Sequence, residues 1–282
     1  MELQTMKVLA AGDTKAVFDY LRDPPTDDPS QPLCYYTEDL SKTTMRVVPV
    51  EMHIADGREQ VDTFSLDEHG FQLVAHKTAT EDFLDRARLQ SAYPVESAEL
   101  IRELTGAFFT AGMGVGIRFG RKRSDYVKSN DDKPARFPHA DFTDETSQAI
   151  LDQVGQSLGS YSRCAIYNVW RVFSNPPQDF PLAVCDARTV STADEEQAEA
   201  ILDLPGTDDP FRSMTTVYRP NAGNRWTYFS NMTVDEALVF KAWDSDRSRP
   251  RRVPHSSFAN PLVGPDAPSR SSVESRVLAF FA

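Results

Sequence analysis

Of the five histidines in this chain, His53, His69, His76, His139 and His255, only His139 stands two residues before a carboxylate, in His139-Ala140-Asp141. On an extended segment alternate side chains share a face, so this imidazole and carboxylate would point the same way. Such a pair suits a divalent iron, and a second imidazole from a later strand would complete a facial triad. Only His255 follows His139 in the sequence. The expected ligands are therefore His139, Asp141 and His255. They would leave room for a chelating 2-oxo acid and for dioxygen, the arrangement that oxidative decarboxylation needs. The competing reading is two ordinary part-buried histidines beside a chance His-x-Asp.

The C-terminal residues sharpen the choice. If Arg270-Ser271-Ser272-Val273-Glu274-Ser275-Arg276 and the apolar run after it form one strand, Arg270, Ser272, Glu274 and Arg276 share a face. A buried guanidinium needs an anionic partner. The distal carboxylate of 2-oxoglutarate is a suitable one, because arginine grips it through two parallel hydrogen bonds. Either Arg270, with Ser272, or Arg276 could hold it; a Glu274 ion pair with one of them is the competing reading. Trp170 and Arg171, on an expected strand, point to opposite faces. Arg171 could meet a substrate or cosubstrate carboxylate or serve a structural ion pair. Arg118, ending an apolar strand, could line the mouth of the site. Trp170, Arg171 and Arg118 are thus the candidate substrate contacts. Gly112, Gly114 and Gly116 lack the spacing and following helix of a phosphate loop, and fit close strand packing better.

These residues need elements to carry them. Thr14 to Arg22 reads as a short helix stopped by Pro24 and Pro25, and Met45 to Ile54 as a strand. Thr63 to Leu66 and Phe71 to Val74 read as extended pieces around a turn. Thr80 to Leu89 and Val95 to Leu104 have helical spacing, with Pro94 near the start of the second and Gly106 as its terminator. Ala107 to Phe119 reads as a buried strand, Gly120 to Phe137 as a polar loop and candidate lid, and Asp144 to Leu158 as a helix capped by Thr143 or Asp144. Short β-like runs follow: Cys164 to Phe173, Pro181 to Cys185, Met214 to Arg219, Arg225 to Phe229, Ala237 to Trp243 and Val273 to Phe281. The expected fold is mainly β with supporting helices. Its core is a double-stranded β-helix (jelly roll) over 107–282, buttressed by residues 1–106, in a single domain 1–282.

Composition narrows the partners. A net charge of -12 without a concentrated basic face argues against nucleic acid and anionic membrane. Cys34, Cys164 and Cys185 show no metal-knuckle spacing and cannot all pair, which points to a reducing compartment. No apolar stretch approaches membrane-spanning length and no signal peptide is indicated, so a cytoplasmic location is expected.

Several stretches resemble one family. They are Phe64-Ser65-Leu66-Asp67-Glu68-His69-Gly70-Phe71, Thr105-Gly106-Ala107, His139-Ala140-Asp141-Phe142-Thr143, Tyr167-Asn168-Val169-Trp170-Arg171 and Phe180 to Arg188. Further on come Trp226-Thr227-Tyr228-Phe229, Glu236 to Lys241, Pro254-His255-Ser256-Ser257-Phe258 and Arg270 to Arg276. The chain is similar to fungal and bacterial non-haem iron oxygenases that include the cephem methoxylase component, gibberellin desaturase-like proteins and fungal hydroxylase/desaturases. The resemblance implies a double-stranded β-helix, Fe(II), 2-oxoglutarate, dioxygen and a small-molecule substrate of secondary metabolism. It covers the chain from about Phe64 onward and leaves hydroxylation, desaturation and oxidative cyclisation all open. A homodimer is the assembly considered. The alternatives are a metal-binding barrel without catalysis and a helper protein of a biosynthetic methyltransferase.

Overall fold

A computed structural model describes residues 11–37, 39–120, 134–202 and 210–282. Its strands form two sheets that face each other. From edge to edge, the larger runs β1 (Thr14–Leu21), β3 (Val47–Asp56), β11 (Trp226–Tyr228), β8 (Leu182–Cys185), β13 (His255–Ser257), β6 (His139–Ala140), β10 (Phe211–Tyr218), β9 (Glu195–Leu202) and β2 (Cys34–Tyr36). The smaller runs β4 (Phe71–Ala75), β12 (Glu236–Asp244), β7 (Arg163–Val172), β14 (Ser271–Phe281) and β5 (Phe109–Phe119). This is the expected mainly β architecture with a jelly-roll core.

The middle strands of the small sheet are covered on both faces. In β7 every residue after Arg163 is buried, as its near-continuous apolar sequence requires. On one face Ala165, Tyr167 and Val169 pack with Ala98, Leu100 and Ile101 of a helix, α1 (Arg86–Thr105). On the other face, Trp170 and Val172 pack across the cleft against Leu182 and Val184 of β8. A second helix, α2 (Asp144–Gly155), starts three residues after Asp141; its N-cap Thr143 accepts a hydrogen bond from the backbone N–H of Thr146.

Several element boundaries differ from the sequence expectation. Thr14 to Leu21 is a strand, not a helix. Ala16, Phe18 and Tyr20 are buried at a period of two while Lys15, Val17 and Asp19 are not, and the segment pairs with β3 over its full length. Its apolar residues fit both periods, and the partner strand decides between them. The two helices expected around Thr80 and Val95 are one, α1. It starts at the Asp85 cap and carries Pro94 in its interior. Its end agrees with expectation: Gly106, at φ 70°, takes the left-handed conformation that closes the helix. Thr63 to Leu66 is not a strand, and Glu195 to Leu202, rich in glutamate and alanine, forms β9 through pairing with β10 along its length. Residues before 107 are also not confined to a buttress, since β1, β2, β3 and β4 belong to the two sheets. Of the candidate lid, residues 121–133 lie outside the described residues.

The seam between α1 and β5 is tight. A Cβ added to Gly112 would lie 2.4 Å from the Pro94 carbonyl oxygen, a backbone atom with nowhere to move. The expected penalty for Gly112→Ala is about 1–3 kcal/mol, the usual cost of overpacking. It is measurable as a lowered urea midpoint; an unchanged midpoint would show that the seam can open freely.

Candidate metal centre

Strand pairing itself assembles the site. β6 and β13 are neighbours in the large sheet, and His255 is the register partner of His139. Cross-strand partners bring side chains close on one face, and the two imidazole centroids lie 4.4 Å apart. Asp141, just past β6, turns its Oδ1 to within 3.9 Å of His255 Nε2. One ligand atom from each of the three lies within 4.8 Å of the others. His139 Nδ1 is 2.9 Å from the Phe137 carbonyl oxygen and His255 Nδ1 is 3.1 Å from that of Val253. With Nδ1–H donating to a carbonyl, each neutral ring carries its lone pair on Nε2, the form that ligates a metal. Two imidazole nitrogens and one carboxylate oxygen, closely grouped and backed by hydrogen bonds, fit a divalent iron.

Electrostatics favour the same state. Burial pushes His139 down to about 4, helped by the neighbouring His255, and burial also lowers His255. Burial alone would raise Asp141, but the charge of Arg276 overrides it and holds the carboxyl well below the usual carboxylate range. The ligand set at neutral pH is therefore two neutral rings and one anion. A stability consequence follows for the apoprotein. Between 6.5 and about 4 the unfolded chain takes up a proton at His139 that the folded chain refuses. Stability from this group is full above 6.5 and is lost as the pH falls through that window. Urea midpoints from pH 7 to pH 4.5 should fall, and fall less in His139→Leu; equal slopes in the two proteins would remove His139 as the source.

The opposing sheet supplies what surrounds the ligands. Asn168 on β7 donates from Nδ2 to Asp141 Oδ2 at 2.6 Å. Arg276 on β14 donates to both oxygens of Asp141 and lies 3.1 Å from Glu274. Sequence reasoning offered Arg276 as a cosubstrate ligand and missed Asn168. The signal for Asn168 was present: it is a lone amide inside an apolar strand, in phase with Trp170.

Arg270 differs from Arg276. It is 2% exposed, yet no carboxylate lies within ion-pair distance among the described residues. Its Nη1 donates to the Phe180 carbonyl at 3.0 Å, its guanidinium sits 5.7 Å from the Trp170 ring centroid, and its Nε has no partner among the described residues. Burial, with the charge of Arg118, pulls it down to about 9. Ser272 is buried two residues on, its Oγ 3.5 Å from the Arg118 carbonyl. Trp170 thus forms part of the wall beside Arg270. Arg118, half-buried on β5, is the register partner of Ser272 and donates to its neighbouring Ile117 carbonyl. Arg171 points the other way, towards α1. It donates to the His76 and Val234 carbonyls and to Tyr93 Oη, and sits 3.9 Å from Glu96. Its partners are structural and lie away from the cleft.

A family model described as an oxidoreductase/YMDC permease-like domain matches residues 18–280. The hydroxylase/desaturase efuI of Hormonema carpetanum is 33% identical over 86% of this chain and 87% of its own length. A hydroxylase/desaturase of Cercospora beticola is 32% identical over 82% and 76%. In fold, the chain is similar to a solved iron and alpha-ketoglutarate-dependent endoperoxidase, with a TM-score of 0.81 at 24% identity, covering 97% of this chain and 99% of that one. With a matched model spanning nearly its whole length and two hydroxylase/desaturases aligned across most of it, the chain belongs to this fungal hydroxylase/desaturase family of oxidoreductases.

Proposed function

We propose that this protein is an Fe(II)/2-oxoglutarate-dependent dioxygenase that oxidises a small molecule of secondary metabolism. The observation that carries the reading is the pairing of two features in one cleft: a His-Asp-His cluster, and Arg270, a buried cation just before β14 that has no carboxylate partner among the described residues. Similar proteins carry the same chemistry in their names, among them an Fe(II)/2-oxoglutarate-dependent dioxygenase of Aspergillus novofumigatus that is 28% identical over 82% of this chain.

His139, Asp141 and His255 would hold the iron, which when bound supplies the activation of dioxygen coupled to decarboxylation of 2-oxoglutarate. Arg270, with Ser272, would grip the far carboxylate of the cosubstrate, since Arg276 is already engaged by Asp141 and Glu274. Trp170 would wall the cosubstrate pocket and exclude water from it. Arg118 would face substrate from β5. A single domain over 1–282, a cytoplasmic location and a homodimer complete the reading. Among the described residues no helix is long and apolar enough to cross a membrane.

Anaerobic addition of Fe(II) and 2-oxoglutarate should give a visible charge-transfer band, and admission of air should yield succinate. A band without succinate, with candidate substrates present, would favour a carrier; no band would remove the cosubstrate.

A further inference from the structure

Among the described residues, Asp141 accepts three hydrogen bonds from two side chains of the facing sheet. Its Oδ2 accepts from Asn168 Nδ2 at 2.6 Å and from Arg276 Nε at 3.2 Å. A carboxylate oxygen has about two lone pairs to give, so both sites on Oδ2 are taken. Among the described residues its Oδ1 accepts one bond, from Arg276 Nη2 at 2.9 Å, and it is the oxygen that lies 3.9 Å from His255 Nε2. One lone pair on Oδ1 is therefore left, on the side of the histidines.

The two donors are themselves fixed. Arg276 and Asn168 are register partners on β14 and β7, so their side chains rise together from adjacent strands. The Arg276 guanidinium is tied to Glu274 and lies 5.4 Å from the Phe142 ring centroid. It stands where the pairing of β14 with β5 slips between Ser275 and Val277, an irregularity of the kind that re-aims a side chain. Asn168 is fully buried, and among the described residues its Oδ1 has no partner, so the one bond its amide makes there is the one to Asp141.

We propose that Arg276 and Asn168 are positioning residues that reserve Oδ1 as the sole oxygen Asp141 offers a metal. The inference rests on the Fe(II)/2-oxoglutarate reading above. Two imidazoles, one carboxylate oxygen and a chelating 2-oxo acid would leave a bound iron one position for dioxygen. A carboxylate free to swing and chelate would fill that last position and shut out dioxygen. Neither residue needs to touch substrate or cosubstrate; each acts through Asp141.

The test reads the open position directly. Wild type, Arg276→Met, Arg276→Lys, Asn168→Ala and the Arg276→Met/Asn168→Ala double variant are loaded anaerobically with Fe(II) and 2-oxoglutarate. The charge-transfer band reports chelation. Nitric oxide, titrated by its electron paramagnetic resonance signal, reports the remaining position. The band should persist in every variant, with half-saturation within about threefold of wild type. Nitric oxide affinity should fall about tenfold in Arg276→Met, severalfold in Asn168→Ala and furthest in the double variant, in keeping with the usual effect of losing a ligand's supporting partner. Arg276→Lys, which keeps the charge but lacks the planar fork that gives two parallel bonds, should fall between wild type and Arg276→Met. Unchanged nitric oxide affinity in the double variant, with the band intact, would overturn the proposal. So would a large loss of 2-oxoglutarate affinity in Arg276→Met, which would place that arginine on the cosubstrate. Should Arg276→Met not fold, Arg276→Lys and Asn168→Ala decide. Absence of the band in wild type would instead overturn the cosubstrate reading.

Discussion

His255→Ala is expected to lower succinate formation by about three orders of magnitude, well beyond the 10–100-fold typical of residues that only support a ligand. The site offers three donors, and without His255 two remain. One of those, Asp141, is shared with the Arg276 guanidinium, so a metal losing its second imidazole faces a competing cation on its last anionic ligand. The ring is 4% exposed, so its removal also leaves a cavity beside Phe240, which packs against it at 4.8 Å between centroids. For that reason Fe(II) content by equilibrium dialysis should be measured alongside turnover and circular dichroism. His53→Ala is the matched control, since its side chain is 60% exposed and faces Asp13 at the surface; it should change nothing. Stoichiometric iron and full turnover in His255→Ala would remove this residue from the metal centre.

A second large effect is expected from Arg270→Met, and it has two opposite signs. The 2-oxoglutarate concentration for half-maximal turnover should rise about 100-fold or more, because truncating one partner of a buried hydrogen-bonded charge pair costs ~2–5 kcal/mol. The protein without cosubstrate should be no less stable, and is expected to melt at a higher temperature. In that state the Arg270 guanidinium lies buried against the Trp170 ring with no carboxylate among the described residues to compensate it, and an apolar side chain of similar length relieves that cost. Thermal shift with and without 2-oxoglutarate reads both signs at once: a higher baseline and a lost ligand response. A variant that keeps the ligand response, or that loses stability by several degrees, would move the cosubstrate contact elsewhere on the sheet.

The grouping of His139, Asp141 and His255 is legible because its signal is local and chemical. One His-x-Asp frame and one later histidine leave little to choose among. The arginines were legible only as a pair. Sequence parity puts Arg270 and Arg276 on one face; Arg270 has no carboxylate partner among the described residues, and Arg276 is bonded to Asp141. Which is which depends on where β6 docks across the cleft, a long-range fact that strand periodicity does not carry. Arg171 shows the same limit from the other side. Its parity with Val169 takes it away from the cleft, into the carbonyls around His76 and Val234. Thr14 to Leu21 carries two patterns at once: Val17, Phe18 and Leu21 make a helical stripe, while Ala16, Phe18 and Tyr20 alternate as in a strand. Only pairing with β3 selects the strand. Glu195 to Leu202 was overlooked for the converse reason: local propensity points to helix and a neighbour overrules it.

His139 and His255 become neighbours only through the register of two strands, one of two residues and one of three, drawn from distant parts of the chain. An unfolded polypeptide would have to close a very long loop to offer both rings to one ion, at an entropic cost with no sheet to offset it. Iron should therefore bind the finished protein and ignore the nascent one, so that loading is a late event. By mass action the ion then stabilises only the native state, and cells short of iron would hold this protein nearer its melting point.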